Sequence, residues 1–231
     1  VLNVAILSAI IAGQMGFSVG RINLLVKSAI LHDIGALKLP QLLDAEDLDD
    51  DTKEVVKKNT QETLARYGDL DEEVPRLITQ MQELYTSESD AEIPAALKES
   101  VNANILYVAD AYDRMTAMKS FEEPTSEVKA VRELLADEER YNKKIVNALI
   151  HGISILYPGV CVELTNGEKG LVVTENEDNI FEPIVLDFRN NNLYDLSDPS
   201  VKQTVEIADV MKTMDNRIKL DKNLLEEYQA N

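Results

Sequence analysis

The sequence predicts a mainly α-helical protein that ends in a small antiparallel β unit and a C-terminal helix. Its hydrophobic residues are mostly aliphatic, since aromatic residues make up 5% of the chain and tryptophan is absent, and they recur at helical spacing. At Tyr157-Pro158-Gly159 this pattern gives way to apolar residues that alternate with others, which is typical of strands. We therefore expect a helical domain over residues 1–157 and a β extension with a tail over 158–231.

Each helix of the first domain is predicted from apolar spacing and from residues that start or stop helices. Asp50 or Asp51, in the acidic loop 44–51, can cap the helix that follows it, and Gly68 ends that helix. Pro75 and Pro94 lie in the first turns of two further helices, where proline is tolerated. Helices are predicted over about 2–15, 20–34, 52–67, 72–85, 94–118, 125–137 and 140–156.

The β unit is predicted from alternation and from one strong turn signal. Asn166-Gly167 stands between two alternating apolar runs, which is typical of a hairpin. Strands are predicted over 160–164, 171–173, 183–188 and 193–196. The tail, roughly 203–228, returns to a polar helical pattern and predicts the C-terminal helix.

Composition limits the partners and the compartment. The formal net charge of −19 repels phosphate backbones, so we expect no nucleic-acid partner. The same charge opposes an anionic substrate unless a metal or local basic residues invert it at the site. A single cysteine, Cys161, excludes an internal disulfide, fits a cytoplasmic location and is expected to be a small core residue. No segment is long and apolar enough to span a membrane.

Three residues have the chemistry of a partial metal site. His32 and Asp33 end the apolar run 22–34, and Asp110 interrupts a second apolar helix. Histidine nitrogen and aspartate oxygen suit divalent ions, and a carboxylate can bridge two ions that activate a shared water. The same residue types also allow a structural interpretation, in which His32 and Asp33 form a hydrogen-bonded core feature and Asp110 pairs with a lysine or arginine.

Two segments of this sequence resemble the HD-GYP domain, a branch of the HD phosphohydrolase superfamily. They are LLVKSAILHDIGALKLP and NILYVADAYDRMTAMKSF, and the later YPGVCVELTNGEKGLVV resembles the small β extension of many HD-GYP proteins. The resemblance implies an HD-type helical bundle that hydrolyses cyclic di-GMP with two or three iron or manganese ions. It maps His32, Asp33 and Asp110 onto metal ligands. Further candidates for contacts to a ligand are Gly35, Lys38, Glu83, Asp113 and Arg114.

This sequence also departs from the family pattern at several positions. Asn59 stands where the family has a histidine, and Met81-Gln82 stands where it has two. Leu84-Tyr85-Thr86-Ser87 replaces the GYP loop, and Ala36 replaces a lysine that commonly contacts phosphate. The family's first histidine has no counterpart, and because the chain opens on Val1 in mid-pattern we expect a fragment with its upstream part missing. Three ligands are expected to hold one iron or manganese ion weakly, without a two-ion cluster.

Three functions are consistent with this pattern. The leading hypothesis is a catalytically degenerate HD-GYP-like regulatory module of a bacterial signalling protein, joined to an upstream sensor or receiver domain, with protein partners and a homodimer as a further possibility. The alternative is an active HD-superfamily phosphohydrolase that uses His32, Asp33, Asp110 and an upstream histidine. The third is a module that binds a nucleotide without cleaving it.

Overall fold

The computed structural model describes residues 1–39, 49–86, 93–118 and 123–211. These form two compact units. The first holds the described residues of Val1–Thr125 together with Ala130–Ile153, and the second holds Ser126–Lys129 and the described residues from Ser154 onward. The prediction of a mainly helical chain followed by a small antiparallel sheet is confirmed.

The helices of the first unit follow the predicted order with shifted ends. They are α1 (Leu2–Gln14), α2 (Val19–Leu31), a 3₁₀ helix (Ile34–Lys38), α3 (Asp50–Leu64), α4 (Glu73–Thr86), α5 (Ala95–Lys98), α6 (Val101–Thr116), α7 (Glu127–Ala136), whose first residues belong to the second unit, and α8 (Lys143–Ile153). Asp49, one residue before the predicted caps, caps α3 by accepting the Thr52 amide at 2.8 Å. The predicted loops over 44–51 and 86–93 lie mostly outside the described residues.

Helix α6 is the central element of the first unit. Ten consecutive residues, from Ala103 to Tyr112, are buried, because α1, α2, α4, α5 and α8 all pack against this helix. The prediction of one helix over 94–118 is wrong in one respect, since the chain breaks between Lys98 and Val101. The Asn104 side-chain amide donates to the Leu97 carbonyl at 2.8 Å and to the Lys98 carbonyl at 3.3 Å. It therefore binds carbonyl groups that a continuous helix would pair with its own amides.

The end of α2 is shaped by a close approach to α3. The predicted helix 20–34 ends as α-helix at Leu31 and continues as the 3₁₀ helix. Gly35 in that turn is buried, and a side chain there would collide with Thr60 and with the Val56 carbonyl of α3. Gly35 thus lets the chain after His32 lie directly against α3.

The second unit contains one antiparallel sheet. Its strands are β1 (Cys161–Leu164), β2 (Lys169–Thr174), β3 (Ile184–Asp187), β4 (Leu193–Asp195) and β5 (Ile207–Val210), in the order β4-β3-β2-β1-β5. Gly167, with φ +82°, forms the predicted turn between β1 and β2. Cys161 is half-buried, and burial raises the pKa of its thiol.

The predicted C-terminal helix is wrong for the part of the tail that the structure describes. A short helix, α9 (Pro199–Lys202), precedes the tail, and Ile207–Val210 pairs with β1 as a strand. The β1 edge offers unpaired backbone groups, and pairing with them outweighs the helical spacing of the tail residues. The remainder of the predicted helix lies outside the described residues.

No helix within the described ranges has both the length and the apolar character needed to cross a membrane.

Candidate metal centre

His32 lies at the carboxyl end of α2 and is 4% exposed. Its Nδ1–H donates to the Ala29 carbonyl at 2.6 Å. Its Nε2 lies 3.1 Å from Asp33 Oδ2 and 3.3 Å from Asp110 Oδ1, at ion-pair distance but without the direction of a hydrogen bond. The bond from Nδ1 orients the ring and turns Nε2 toward two carboxylates. The structure therefore brings together the three residues that were predicted to share a site.

The two carboxylates determine the charge of His32. Burial alone lowers the pKa of the imidazole, but Asp110 and Asp33 outweigh burial and raise that pKa to about 10. Without a metal, His32 is therefore a cation between two anions. A divalent ion would have to take the place of its Nε2 proton, because metals bind the neutral ring.

Asp110 is held on both of its oxygens. Oδ1 faces His32, while Oδ2 lies 2.8 Å from Arg114 Nε and accepts a hydrogen bond from the Tyr85 hydroxyl. Burial alone raises the pKa of this carboxyl, but His32 and Arg114 hold it well below the usual range. Asp110 is thus ionised, and it is paired with two cations.

Tyr85 and Arg114 form one wall of this cluster. The Arg114 guanidinium carbon lies 4.4 Å from the centroid of the Tyr85 ring, and Tyr85 packs edge-on against Tyr107 at 4.6 Å between centroids. Burial, and secondarily Asp110, raises the pKa of the Tyr85 hydroxyl, so it stays protonated and donates. The sequence pattern did not point to Tyr85, because helical spacing on α4 gives only an aromatic residue on an inward face.

Comparison with known proteins gives one family match, over the first 115 residues of the chain. Residues 1–115 match the HD domain family. The match includes α1 to α5 and α6 up to Met115, and so contains His32, Asp33, Asp110 and Arg114. The chain is also 24% identical, over 234 aligned positions, to the cyclic di-GMP phosphodiesterase PdeB of Borreliella burgdorferi. This alignment covers 96% of the chain and 61% of that relative, so the chain spans about three fifths of the relative's length.

The other candidate residues of the HD-domain region make structural contacts. Lys38 Nζ donates to the Asn59 carbonyl at 3.5 Å and lies 3.7 Å from Glu62 Oε2. Asp113 Oδ1 accepts from the Asn3 side-chain amide of α1 at 2.9 Å. Glu83 is half-buried on α4. Arg114 joins the His32 cluster through its contact with Asp110.

Three residues differ from the family pattern at positions where it has histidine, and the structure places them on α3 and α4. Met81 is 1% exposed and belongs to the hydrophobic core, where its thioether packs as an apolar group. Gln82 is half-buried on α4. Asn59 lies on α3 and accepts, through its carbonyl, from Lys38 and from the Thr63 hydroxyl. Within the described ranges, no group of three or more histidine, cysteine or acidic side chains is arranged so that it could hold a metal ion.

The donor set around His32 nevertheless fits part of such a site. Ligand atoms about 2.1 Å from one divalent ion stand roughly 3–3.5 Å apart, and Nε2 lies 3.1 and 3.3 Å from its two carboxylate oxygens. Buried Nε2 is a polar atom without a hydrogen-bond partner. One imidazole nitrogen and two carboxylate oxygens are suitable ligands for iron or manganese. When bound, such an ion would supply Lewis acidity, and His32, Asp33 and Asp110 would hold it.

Proposed function

We propose that this chain is an HD-GYP-like regulatory module of cyclic di-GMP signalling in which the metal centre is reduced to His32, Asp33 and Asp110. The observation that carries the proposal is the state of Asp110. Its Oδ2 is taken by Arg114 and Tyr85, so the carboxylate is not free to bridge two ions. Asn59, Met81 and Gln82 also stand where the family has histidines. The remaining ligands are therefore too few for a two-ion cluster.

The chemical consequence is loss of turnover. Phosphodiester hydrolysis in a two-ion site relies on the ions to activate water and to neutralise the phosphate. In this chain, His32 and Arg114 already balance the charges of Asp33 and Asp110. The relative named as a cyclic di-GMP phosphodiesterase supports the signalling context, and the departures support a role in regulation.

We further propose that the module acts in the cytoplasm, joined to a sensor or receiver domain, and contacts protein partners or a second copy of itself. The resemblance to HD-GYP domains supports this proposal. Size-exclusion chromatography with light scattering gives the mass of the 231-residue chain in solution. A mass that stays at 25.8 kDa at high protein concentration contradicts the second copy.

Turnover of cyclic di-GMP tests the proposal directly. The chain is incubated anaerobically with Mn²⁺ or Fe²⁺ and cyclic di-GMP, and the products are separated by chromatography. We expect the wild type to release no more linear product than the His32→Ala variant. The control is His151→Ala, which removes the other histidine, an exposed residue on α8.

The regulatory proposal is contradicted if the wild type hydrolyses cyclic di-GMP, His32→Ala abolishes the hydrolysis and His151→Ala preserves it. That result would favour the active phosphohydrolase instead. Calorimetry with a nucleotide panel on the same three proteins separates a nucleotide-binding module from a purely protein-binding one, since heat of binding without product identifies the former.

A further inference from the structure

Arg114 has a contact that the HD-domain match does not explain. Its Nε lies 2.8 Å from Asp110 Oδ2, four residues earlier on the same helix. Arginine keeps its charge throughout the physiological range. A permanent positive charge therefore lies next to the Asp110 carboxylate, which is also a metal ligand in the proposed centre.

The position of Arg114 is set by its surroundings. The guanidinium lies over the Tyr85 ring at 4.4 Å, and Tyr85 is held in turn by Tyr107. Asp110 belongs to the continuously buried part of α6. Because that part of the helix is packed on all sides, α6 cannot rotate to carry the Asp110 carboxylate away from Arg114. Asp110 and Arg114 therefore meet in one arrangement.

The two oxygens of the Asp110 carboxylate face different groups. A carboxylate oxygen has about two acceptor positions, and Oδ2 uses them for Arg114 and the Tyr85 hydroxyl. Oδ1 alone faces His32 Nε2. A metal ion beside Nε2 can thus gain one oxygen from Asp110, and it meets the repulsion of the guanidinium behind that carboxylate.

We propose that Arg114 is a built-in cation that competes with a divalent metal ion for Asp110 and keeps the metal affinity of this centre low. The inference rests on the proposed function only in taking His32, Asp33 and Asp110 as the metal-type centre. It adds a positioning residue that decides how strongly the centre takes an ion.

Calorimetric titration with Mn²⁺ alone, on the full chain under anaerobic conditions, tests the role of Arg114. We expect Arg114→Ala to bind Mn²⁺ up to about tenfold more tightly than the wild type, because the variant removes a positive charge 2.8 Å from Asp110 Oδ2. The Arg114 side chain is 57% exposed, so solvent screening limits the gain. Arg114→Lys keeps a positive charge but loses the guanidinium that lies over the Tyr85 ring, so its Mn²⁺ affinity is expected to lie between those of the wild type and Arg114→Ala.

Tyr85→Phe is the matched control, because it removes the other donor to Oδ2 without removing charge. We expect it to change the Mn²⁺ affinity by less than about threefold, since a neutral hydrogen bond is weaker than a charge-assisted one. Circular dichroism and thermal unfolding of each variant establish that it is folded.

Equal Mn²⁺ affinity in wild type and Arg114→Ala, including no binding by either, overturns the inference. An equal gain in Tyr85→Phe and Arg114→Ala also overturns it, because blocked lone pairs rather than charge would then be the cause. These outcomes are separate from the proposed function, which fails on turnover of cyclic di-GMP and not on the ratio of Mn²⁺ affinities.

Discussion

At the scale of single residues, Gly35 fixes the position of the chain that follows His32. Any β-carbon at this position meets Thr60 and the Val56 carbonyl of α3, and the carbonyl belongs to backbone that cannot move aside. The 3₁₀ helix can therefore lie against α3 only if residue 35 has no side chain. Gly35 is therefore required for the close packing of this turn against α3.

Gly35→Ala should destabilise the protein by about 1–3 kcal/mol, the usual cost of overpacking. The measurement is urea unfolding followed by circular dichroism. Gly20→Ala is the matched control, because nothing lies within 4 Å of a β-carbon at that position in α2. The control should be neutral or stabilising, by up to about 1 kcal/mol. Equal stability of the two variants would show that the approach to α3 is looser than described.

The cluster around His32 was partly predictable from single residues. Charged groups within apolar helices indicated that His32, Asp33 and Asp110 lie together, since such groups need partners when buried. The contacts of Asp110 with Tyr85 and Arg114 were harder to predict from the sequence. They depend on how α4 and α6 are rotated about their axes, and helical spacing alone does not give that angle.

At the scale of elements, β5 is held in the second unit by an ion pair as well as by its backbone hydrogen bonds to β1. Asp209 on β5 lies 3.2 Å from Lys129 Nζ, at the start of α7 in the same unit. Burial alone raises the pKa of Asp209, but hydrogen bonds from Ser126 and Val210 and the nearby Lys129 outweigh it and lower that pKa. The folded state therefore favours the ionised carboxylate.

The sign of the pH dependence follows from this lowered pKa. The stabilisation from Asp209 is present above the usual pKa of aspartate, about 3.9, and it is lost as the pH falls through the lowered folded value. Asp209→Asn should cost less than about 1 kcal/mol at pH about 7, because Lys129 is largely exposed. The difference from wild type should shrink toward pH about 3.

Urea unfolding at the two pH values measures this difference. Glu177→Gln, which removes an exposed carboxylate of the same unit, controls for the loss of one negative charge. A difference between Asp209→Asn and wild type that grows on acidification would contradict the assigned pairing.

Long elements were easier to predict than boundaries and edge strands. The helices of the first unit and strands β1 to β4 follow from spacing and turn residues. Strand β5 was missed because the residues of the tail recur at helical spacing, while the strand depends on pairing with β1, a contact between distant parts of the sequence. The break between α5 and α6 depends on one side chain, Asn104, in an otherwise helical pattern.

At the scale of the whole molecule, the formal charge of −19 opposes folding, because compact states bring like charges closer together. Screening should therefore stabilise the chain. Raising NaCl from about 10 to about 150 mM shortens the Debye length to about 8 Å. The melting temperature should rise by about 2–4 °C, the shift that roughly 1 kcal/mol gives in a chain of this size.

Thermal unfolding by circular dichroism at several salt concentrations measures this effect, with sucrose at matched osmolality as the uncharged control. A melting temperature that falls with NaCl would show that attractive ion pairs, such as Lys129–Asp209, outweigh the general repulsion.

The central place of α6 has a consequence for the order in which the chain is made. Helix α1 is apolar around most of its surface, and its buried residues, among them Val4 and Ile11, pack against α2, α6 and α8. The ribosome adds roughly 5–20 residues each second, so α1 waits for several seconds before α6 has been synthesised. Until then the part of its apolar surface that α6 and α8 cover in the folded protein is open to other nascent chains. The step most exposed to aggregation is therefore the delay before α6 emerges, and chaperones that bind short apolar helices should act during that interval.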